Sequence, residues 1–426
     1  MDGSTGVKGD EDIFSRKMKK GTSMKKEQLE YAAARYGTPL YIFNMDILKK
    51  QAERLKQALG DETGLCYAMK ANPFLTKDMA EYVDRIEVCS MGEFEICRRM
   101  EIPPEKLFIS GVLKKKEDIY HILDTFGEKC RYTVESVKQL HYFLEWSDAH
   151  MKVLRLYPRL TNGSQFGMDE ETVRSVISIA NMSPYLEIEG IHYFSGTQKR
   201  RTRQFQQELE MLDRFLRKMR EEWKVQIRHL EYGPGTAVPY FRGKEARTYT
   251  DEGLATLREA ISSMQWKGNV TIEMGRAFAA ECGYYLTEIK DVKKNGDINY
   301  CIVDGGNHQL NYDGQIKGMY QPEIQLIPGD QRGSRKLWTV CGALCTMNDV
   351  LCSNVELSDV RTGRVLVFER TGAYSSMEGM ALFLSHALPA VVSYGREQGW
   401  NVLRQNKPTY LWNMPEKTVE YTEKIN

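Results

Sequence analysis

From Thr38 onward the chain alternates between short apolar runs and longer stretches with helical spacing. The apolar runs Leu65–Met69, Ile86–Cys89, Leu107–Ser110, Arg131–Val134, Val153–Tyr157, Ile188–Tyr193, Ile227–Tyr232 and Val270–Glu273 read as strands. They are short, rich in β-branched and aromatic residues, and bounded by turn residues. Between them Met45–Leu59, Met91–Glu101, Lys116–Phe126, Asp169–Asn181, Gln204–Trp223 and Glu252–Met264 carry the helical period. Strand and helix in turn, eight times over about 230 residues, predict a (β/α)8 barrel of the TIM type. A doubly wound open sheet is the rival, but no GxGxxG fingerprint follows the first strand.

Past Glu281 the rhythm changes. Tyr284–Val292, Tyr300–Val303, Lys336–Cys341, Val350–Val355 and Arg364–Phe368 are β-like runs separated by Gly, Asn and Asp, and Ser376–Leu384 is the remaining helical stretch. The expectation is α/β plus β: a barrel over 44–280 and a mostly antiparallel β-barrel domain over 281–426. Residues 27–43 supply a helix and the Leu40–Phe43 strand, which joins the β domain. Residues 1–26 are polar and aperiodic and read as a disordered leader, with Met24 a possible natural start.

Composition narrows the function. The chain has 426 residues, 42% of them hydrophobic, enough for large cores. A net charge of +1 supplies no field for nucleic acid or an anionic membrane. No secretory signal opens the chain, and no run of about 18 apolar residues could span a bilayer. Nine cysteines are dispersed without a CxxC, as in a reduced cytoplasmic protein. Seven histidines show no metal-ligand spacing, so no metal is expected.

In such barrels the working residues sit at the C-terminal ends of the strands. Lys70 ends the first, inside Tyr67-Ala68-Met69-Lys70-Ala71-Asn72-Pro73. A lysine dehydrated at a strand tip favours its neutral form and serves as a Schiff-base nucleophile; a snorkelling surface lysine is the plainer reading. Ser195-Gly196-Thr197 and Gly233-Pro234-Gly235 follow the sixth and seventh strands, and Glu273-Met274-Gly275-Arg276 ends the eighth. Backbone N–H groups, hydroxyls and the Arg276 cation at that rim suit a phosphate. Glu273 needs a partner, which is either Arg276 or a protonated pyridine nitrogen. Amine, phosphate cup and carboxylate together suggest pyridoxal 5′-phosphate.

The same residues resemble the fold-type III pyridoxal-phosphate decarboxylases, the diaminopimelate, ornithine and arginine decarboxylase group, whose fold is that of alanine racemase. The resemblance runs from about Thr38 to about Pro389. It rests on the Lys70 motif, Glu87-Val88-Cys89-Ser90-Met91-Gly92-Glu93, Gln165-Phe166-Gly167-Met168, Gly190 to Gln198, Gly233-Pro234-Gly235, Glu273 to Arg276, Cys345-Thr346-Met347-Asn348-Asp349 and Gly372-Ala373-Tyr374. It implies a homodimer with shared active sites and loss of CO2 from the α-carbon of an L-amino acid or a derivative. Lys70 would hold the cofactor, and Glu273 its ring nitrogen. Ser195 or Thr197, Gly235, Gly275, Arg276 and Tyr374 would hold its phosphate, and Cys345 of the other subunit would return the proton.

Departures bear on the substrate. Phe194 stands where the family stacks a histidine on the cofactor, and His192 points the same way at another depth. Pro234 removes one N–H from the glycine loop. Diaminopimelate enzymes carry Glu after the catalytic cysteine, where Thr346 stands, and an arginine that 307–320 lacks. The chain is therefore more similar to a subgroup that includes decarboxylases of carrier-protein-tethered aminoacyl groups, and a carrier protein is a possible partner. Thr346, His386 and Asp349 are expected at the substrate pocket. meso-Diaminopimelate decarboxylation, racemisation and a non-catalytic relative remain as alternatives.

Overall fold

The computed structural model describes residues 23–313, 315–329 and 334–416; positions 1–22 of the expected disordered leader lie outside the described residues. Residues 50–280 with 372–377 form one compact unit, and the described parts of 1–49, 281–371 and 378–426 form the other.

The first unit is a barrel of parallel strands. Thr63–Ala68, Arg85–Val88, Leu107–Ile109, Arg131–Val134 and Leu154–Pro158 follow one another around the sheet, and Asn269–Met274 and His229–Gly233 continue it beyond Thr63–Ala68. The sixth strand is split. Leu186–Ile188 pairs with Leu154–Pro158, and Gly190–Phe194 pairs with His229–Gly233. A parallel bridge between Arg159 and His192 closes the cylinder. The split follows from packing: a Cβ on Gly190 would stand 2.3 Å from Tyr157 Cε1, so the chain crosses the Tyr157 ring only as glycine.

Eight expected strands thus become eight positions around the barrel, with no end moved by more than two residues. Hydroxyl and carboxylate caps start the helices between them. Ser90, Asp169 and Thr250 accept from Glu93 N, Thr172 N and Gly253 N. Besides the single turns Thr76–Met79 and Arg276–Ala279, the helix Val137–His150 is not foreseen. Leu140, Phe143 and Trp146 bury one face of it, but Tyr142 and two histidines on the remaining surface blur the apolar stripe.

The second unit is a mixed, mainly antiparallel sheet. Gly283–Asn295 is its long central strand, paired antiparallel with Ile298–Val303, Val365–Glu369 and Leu40–Asn44. Leu40–Asn44 also runs parallel to Ala390–Gly395, which the sequence pattern does not single out. The expected helix over Ser376–Leu384 is not formed; turns lead to a short 3-10 turn at Phe383–Ser385. Gly379 lies so close to the His308 carbonyl that a Cβ would come within 2.3 Å, and Leu384 and Ser385 both hold a left-handed φ of 55°. Those constraints fix the segment against its own unit rather than on a helical path.

Candidate active site

Lys70 lies in a 3-10 turn, Met69–Ala71, immediately after the first barrel strand. Its Nζ donates to Glu87 Oε2 at 2.6 Å and lies 3.9 Å from Glu273 Oε1 and 3.7 Å from Cys89 Sγ. Cys89 in turn donates its S–H to Glu87 Oε1 at 3.1 Å. Burial pulls the amine down, but Glu87 first, then Cys89, Glu273 and Tyr374, outweigh it and hold it well above the usual lysine value. This corrects the expectation of a lysine neutralised by dehydration. With 39% of its side chain open, and two carboxylates facing it, Lys70 rests as an ammonium.

Glu273 is nearly buried at the end of the Asn269–Met274 strand. His192 Nε2 meets its Oε2 at 3.1 Å. Burial, then the Arg159 cation, push the His192 ring down to about 3, so it is neutral and the Nε2–H is the donor. It is therefore His192 and Lys70 that the structure puts against Glu273, while Arg276 engages Tyr240 and Tyr374. Arg276 Nη1 donates to the Tyr240 hydroxyl at 2.9 Å, and its guanidinium lies 4.4 Å from the centre of the Tyr374 ring.

Tyr374 returns to the lysine turn: its N–H donates to Ala71 O at 2.7 Å from a left-handed φ of 64°. Gly275 lets the same turn approach the eighth strand, since a Cβ there would stand 2.7 Å from Ala71 Cβ. Gly235, at φ +65°, faces Gly196, whose carbonyl oxygen would be 1.8 Å from an added Cβ. The two rim loops thus touch backbone to backbone, and Lys199 N donates to Gly235 O at 2.9 Å to extend the contact.

The two hydroxyls of the first loop separate here. Ser195 Oγ accepts from buried Lys199, whose Nζ also lies 2.7 Å from Glu208 Oε1. Thr197 is exposed beside a cavity of about 540 Å³ that Gln198, Arg200, Arg201 and Arg203 also line. Phe194 is half-buried, and its ring covers Gly233, where a Cβ would meet Cδ2 at 2.5 Å.

The remaining site candidates belong to the second unit. Cys345 is exposed. Asp349 is buried, and its two oxygens accept from Asn307 N at 2.7 Å and Leu344 N at 2.8 Å. Asp349 thus braces the loop that carries Cys345 and Thr346, and with Thr346 it lines a cavity of about 560 Å³. Burial still raises its pKa. His386 lies with its ring 5.1 Å from that of His308.

Glu87, Cys89, Lys199, Glu208 and Tyr240 carry the site without having been assigned a role from sequence. Glu87 and Cys89 had one available signal: two residues apart on a strand, they share a face. Lys199, at the head of Lys-Arg-Arg, is buried, and its ammonium is paired by Glu208 of the following helix.

The donor set fits pyridoxal 5′-phosphate. An amine, a carboxylate 3.9 Å from it, and a glycine-built rim with Arg276 stand at one end of one barrel. The family model for the pyridoxal-dependent decarboxylase, pyridoxal binding domain, matches residues 45–280. The chain is 26% identical over 365 residues to diaminopimelate decarboxylase of Aquifex aeolicus, covering 81% of this chain and 84% of that one. It is 26% identical over 396 residues to the L-glutamyl-[BtrI acyl-carrier protein] decarboxylase of Niallia circulans, covering 86% and 91%. A solved diaminopimelate decarboxylase from M. jannaschii superposes with a TM-score of 0.79 at 22% identity, over 91% of this chain and 94% of that one, which shows the fold. The barrel, its lysine and the family match meet in one conclusion: the chain belongs to the pyridoxal-dependent decarboxylases and is a pyridoxal-phosphate enzyme that removes CO2.

Proposed function

We propose that the chain decarboxylates the α-carbon of an L-amino acid or amino-acid derivative other than meso-diaminopimelate, as a homodimer whose sites are shared between subunits. The observation that carries the reaction is the Lys70 cluster, with Glu87 at 2.6 Å and Glu273 at 3.9 Å. Pyridoxal phosphate, when bound, supplies the electron sink that makes loss of CO2 possible.

Lys70 is the residue that would hold the cofactor, and it must first shed a proton. Glu87 is placed to take it, and the Cys89 thiol steadies the carboxylate on its other oxygen. His192 donates to one Glu273 oxygen and leaves the other toward the ring nitrogen that Glu273 would hold. Gly235, Gly275, Arg276, Tyr374 and Thr197 would bind the phosphate; the Ser195 hydroxyl is already engaged by Lys199, which favours Thr197 of the two. Phe194 offers a face but no N–H to the cofactor. Cys345, on an exposed loop, would return the proton to the product from the partner copy, a step for which a thiol is suited near neutral pH.

Thr346 stands after Cys345 without the charge that would read a distal ammonium. Incubation with a panel of free L-amino acids and meso-diaminopimelate, scored by CO2 release, tests this reading. Highest turnover on meso-diaminopimelate overturns it.

A carrier-tethered aminoacyl group is the second reading, favoured by one observation. Arg200, Arg201 and Arg203 line the 540 Å³ cavity beside Thr197, and no ion pair neutralises them among the described residues. Such a rim complements an acidic carrier. Turnover of the carrier-bound substrate with none of the free acid, lost in R201E, would select it.

A further inference from the structure

His308 is buried to 2% exposure, and neither ring nitrogen has a hydrogen-bond partner among the described residues. A buried imidazole left that way forfeits the hydrogen bonds that water would otherwise supply. The surroundings do not offer the missing partner. Asp349, which like His308 Nδ1 lies beside Gly306, spends its oxygens on Asn307 N and Leu344 N. The neighbour is instead a second imidazole, His386, with ring centres 5.1 Å apart.

The three segments involved are firmly joined. Ala343 N donates to Gly305 O at 2.7 Å, and Asn307 Nδ2 to Asn348 O at 2.7 Å, so the His308 loop and the Cys345 loop form one body. Gln309 Nε2 donates to Ala387 O at 2.9 Å and ties in the His386 segment. Glycine keeps space at the junction: a Cβ on Gly306 would stand 3.0 Å from His308 Nδ1 and 2.6 Å from Asp349 Oδ2. Two imidazoles, held close and braced, with donors unspent and no cation between them, suit an acceptor that carries negative charge.

We propose that His308 and His386 form a carboxylate-binding subsite in the loop cluster that carries Cys345, and that it selects a substrate with an acidic side chain. This rests on the decarboxylase reading and specifies its substrate class. Burial, then His386, hold the His308 ring down to about 4, so that ring is uncharged on its own and a bound carboxylate draws a proton onto it. His386 is the titratable group that acts on the His308 ring, and Asp349 in turn interacts with His386 and with its own neighbours Asn307 and Leu344.

Glutarate is the probe: it carries two carboxylates and no amine, so it cannot condense with Lys70. Binding to the holoenzyme is followed by calorimetry and by the histidine ring proton signals. Glutarate is expected to bind, to shift the His308 and His386 signals, and to bind about ten- to a hundredfold more weakly in H308F, with partial recovery in H308Q. A diamine of the same length is expected to do none of this. Equal glutarate affinity in H308F and wild type, or no ring shift in wild type, overturns the subsite; the second readout stands even when H308F does not fold. CO2 release separates the two claims. No turnover of any amino acid with His308-dependent glutarate binding refutes the free-substrate reading and leaves the subsite. Turnover confined to basic amino acids removes the subsite and leaves the decarboxylase.

Discussion

The Lys70 cluster and the Cys345 loop each hold a reactive group, and they do so by different physics. Around Lys70 the work is done by side-chain charge: Glu87, Glu273 and, through Glu273, the neutral His192. Around Cys345 it is done by backbone, with one buried carboxylate gathering the N–H groups of Asn307 and Leu344. The first arrangement sets a protonation state as well as a position. The second sets position alone. Substitutions in the two regions should therefore fail in distinguishable ways.

The largest effect is expected from Lys70→Ala. It removes the amine and leaves the Glu87 carboxylate without its cation. Decarboxylation should fall by at least 10²–10⁴-fold, the range assigned to a positioned acid–base group alone. The visible absorbance of lysine-bound cofactor should vanish from the purified protein. A mutant that retains that absorbance would falsify the lysine assignment.

Asp349→Ala tests the other half. It strands the buried Leu344 N–H, at about 1–3 kcal/mol, and the half-buried Asn307 N–H. Turnover should drop about ten- to a hundredfold as the Cys345 loop loosens. The cofactor absorbance should stay that of the wild type, because nothing around Lys70 changes. Loss of cofactor together with loss of turnover would erase the distinction between the two regions.

The contrast also explains what the sequence could reveal. Barrel strand ends are punctuated locally: Asn72-Pro73 after Lys70, Gly233-Pro234-Gly235, and Gly275 beside Arg276 are legible without knowing any partner. The eight barrel strands and six of the helices follow from periodicity for the same reason. What the sequence concealed is long-range. Glu87 becomes a partner of Lys70 only when neighbouring strands align, and buried Lys199 finds its counter-ion, Glu208, on the following helix. In the second unit, the bracing role of Asp349 exists only once the loop at Asn307 folds onto it. The failed helix at Ser376–Leu384 has the same origin, because Gly379 is held by its approach to His308.

A smaller effect sharpens the phosphate rim. Thr197→Val removes a hydroxyl proposed to face the phosphate, and cofactor affinity should weaken about three- to tenfold. Ser195→Ala removes a hydroxyl that already accepts from Lys199, and affinity should change less. The reverse order, read from cofactor titrations of the two variants, would move the phosphate contact to Ser195.

The smallest effect concerns charge that the reaction does not use. Arg85 Nη1 donates to Glu231 Oε2 at 2.5 Å, both inside the barrel. Burial pushes the Glu231 carboxyl up to about 7, against the pull of Arg85 and with help from Glu273. The ordinary glutamate value is 4.5, so the folded state binds this proton more tightly than the unfolded chain does. Its contribution to stability is fully present below pH 4.5 and is lost as pH rises through about 7. Other buried acids of raised pKa, Glu93 and Asp349 among them, slope the same way, so the comparison must be a difference. Glu231→Gln keeps an acceptor for Arg85 and cannot titrate. Subtracting its urea-denaturation profile from that of the wild type should leave a wild-type stability that declines between pH 4.5 and 7 and is flat above. A flat difference throughout would mean that Glu231 stays ionised beside Arg85, and that charge pairing governs this end of the barrel as it does around Lys70.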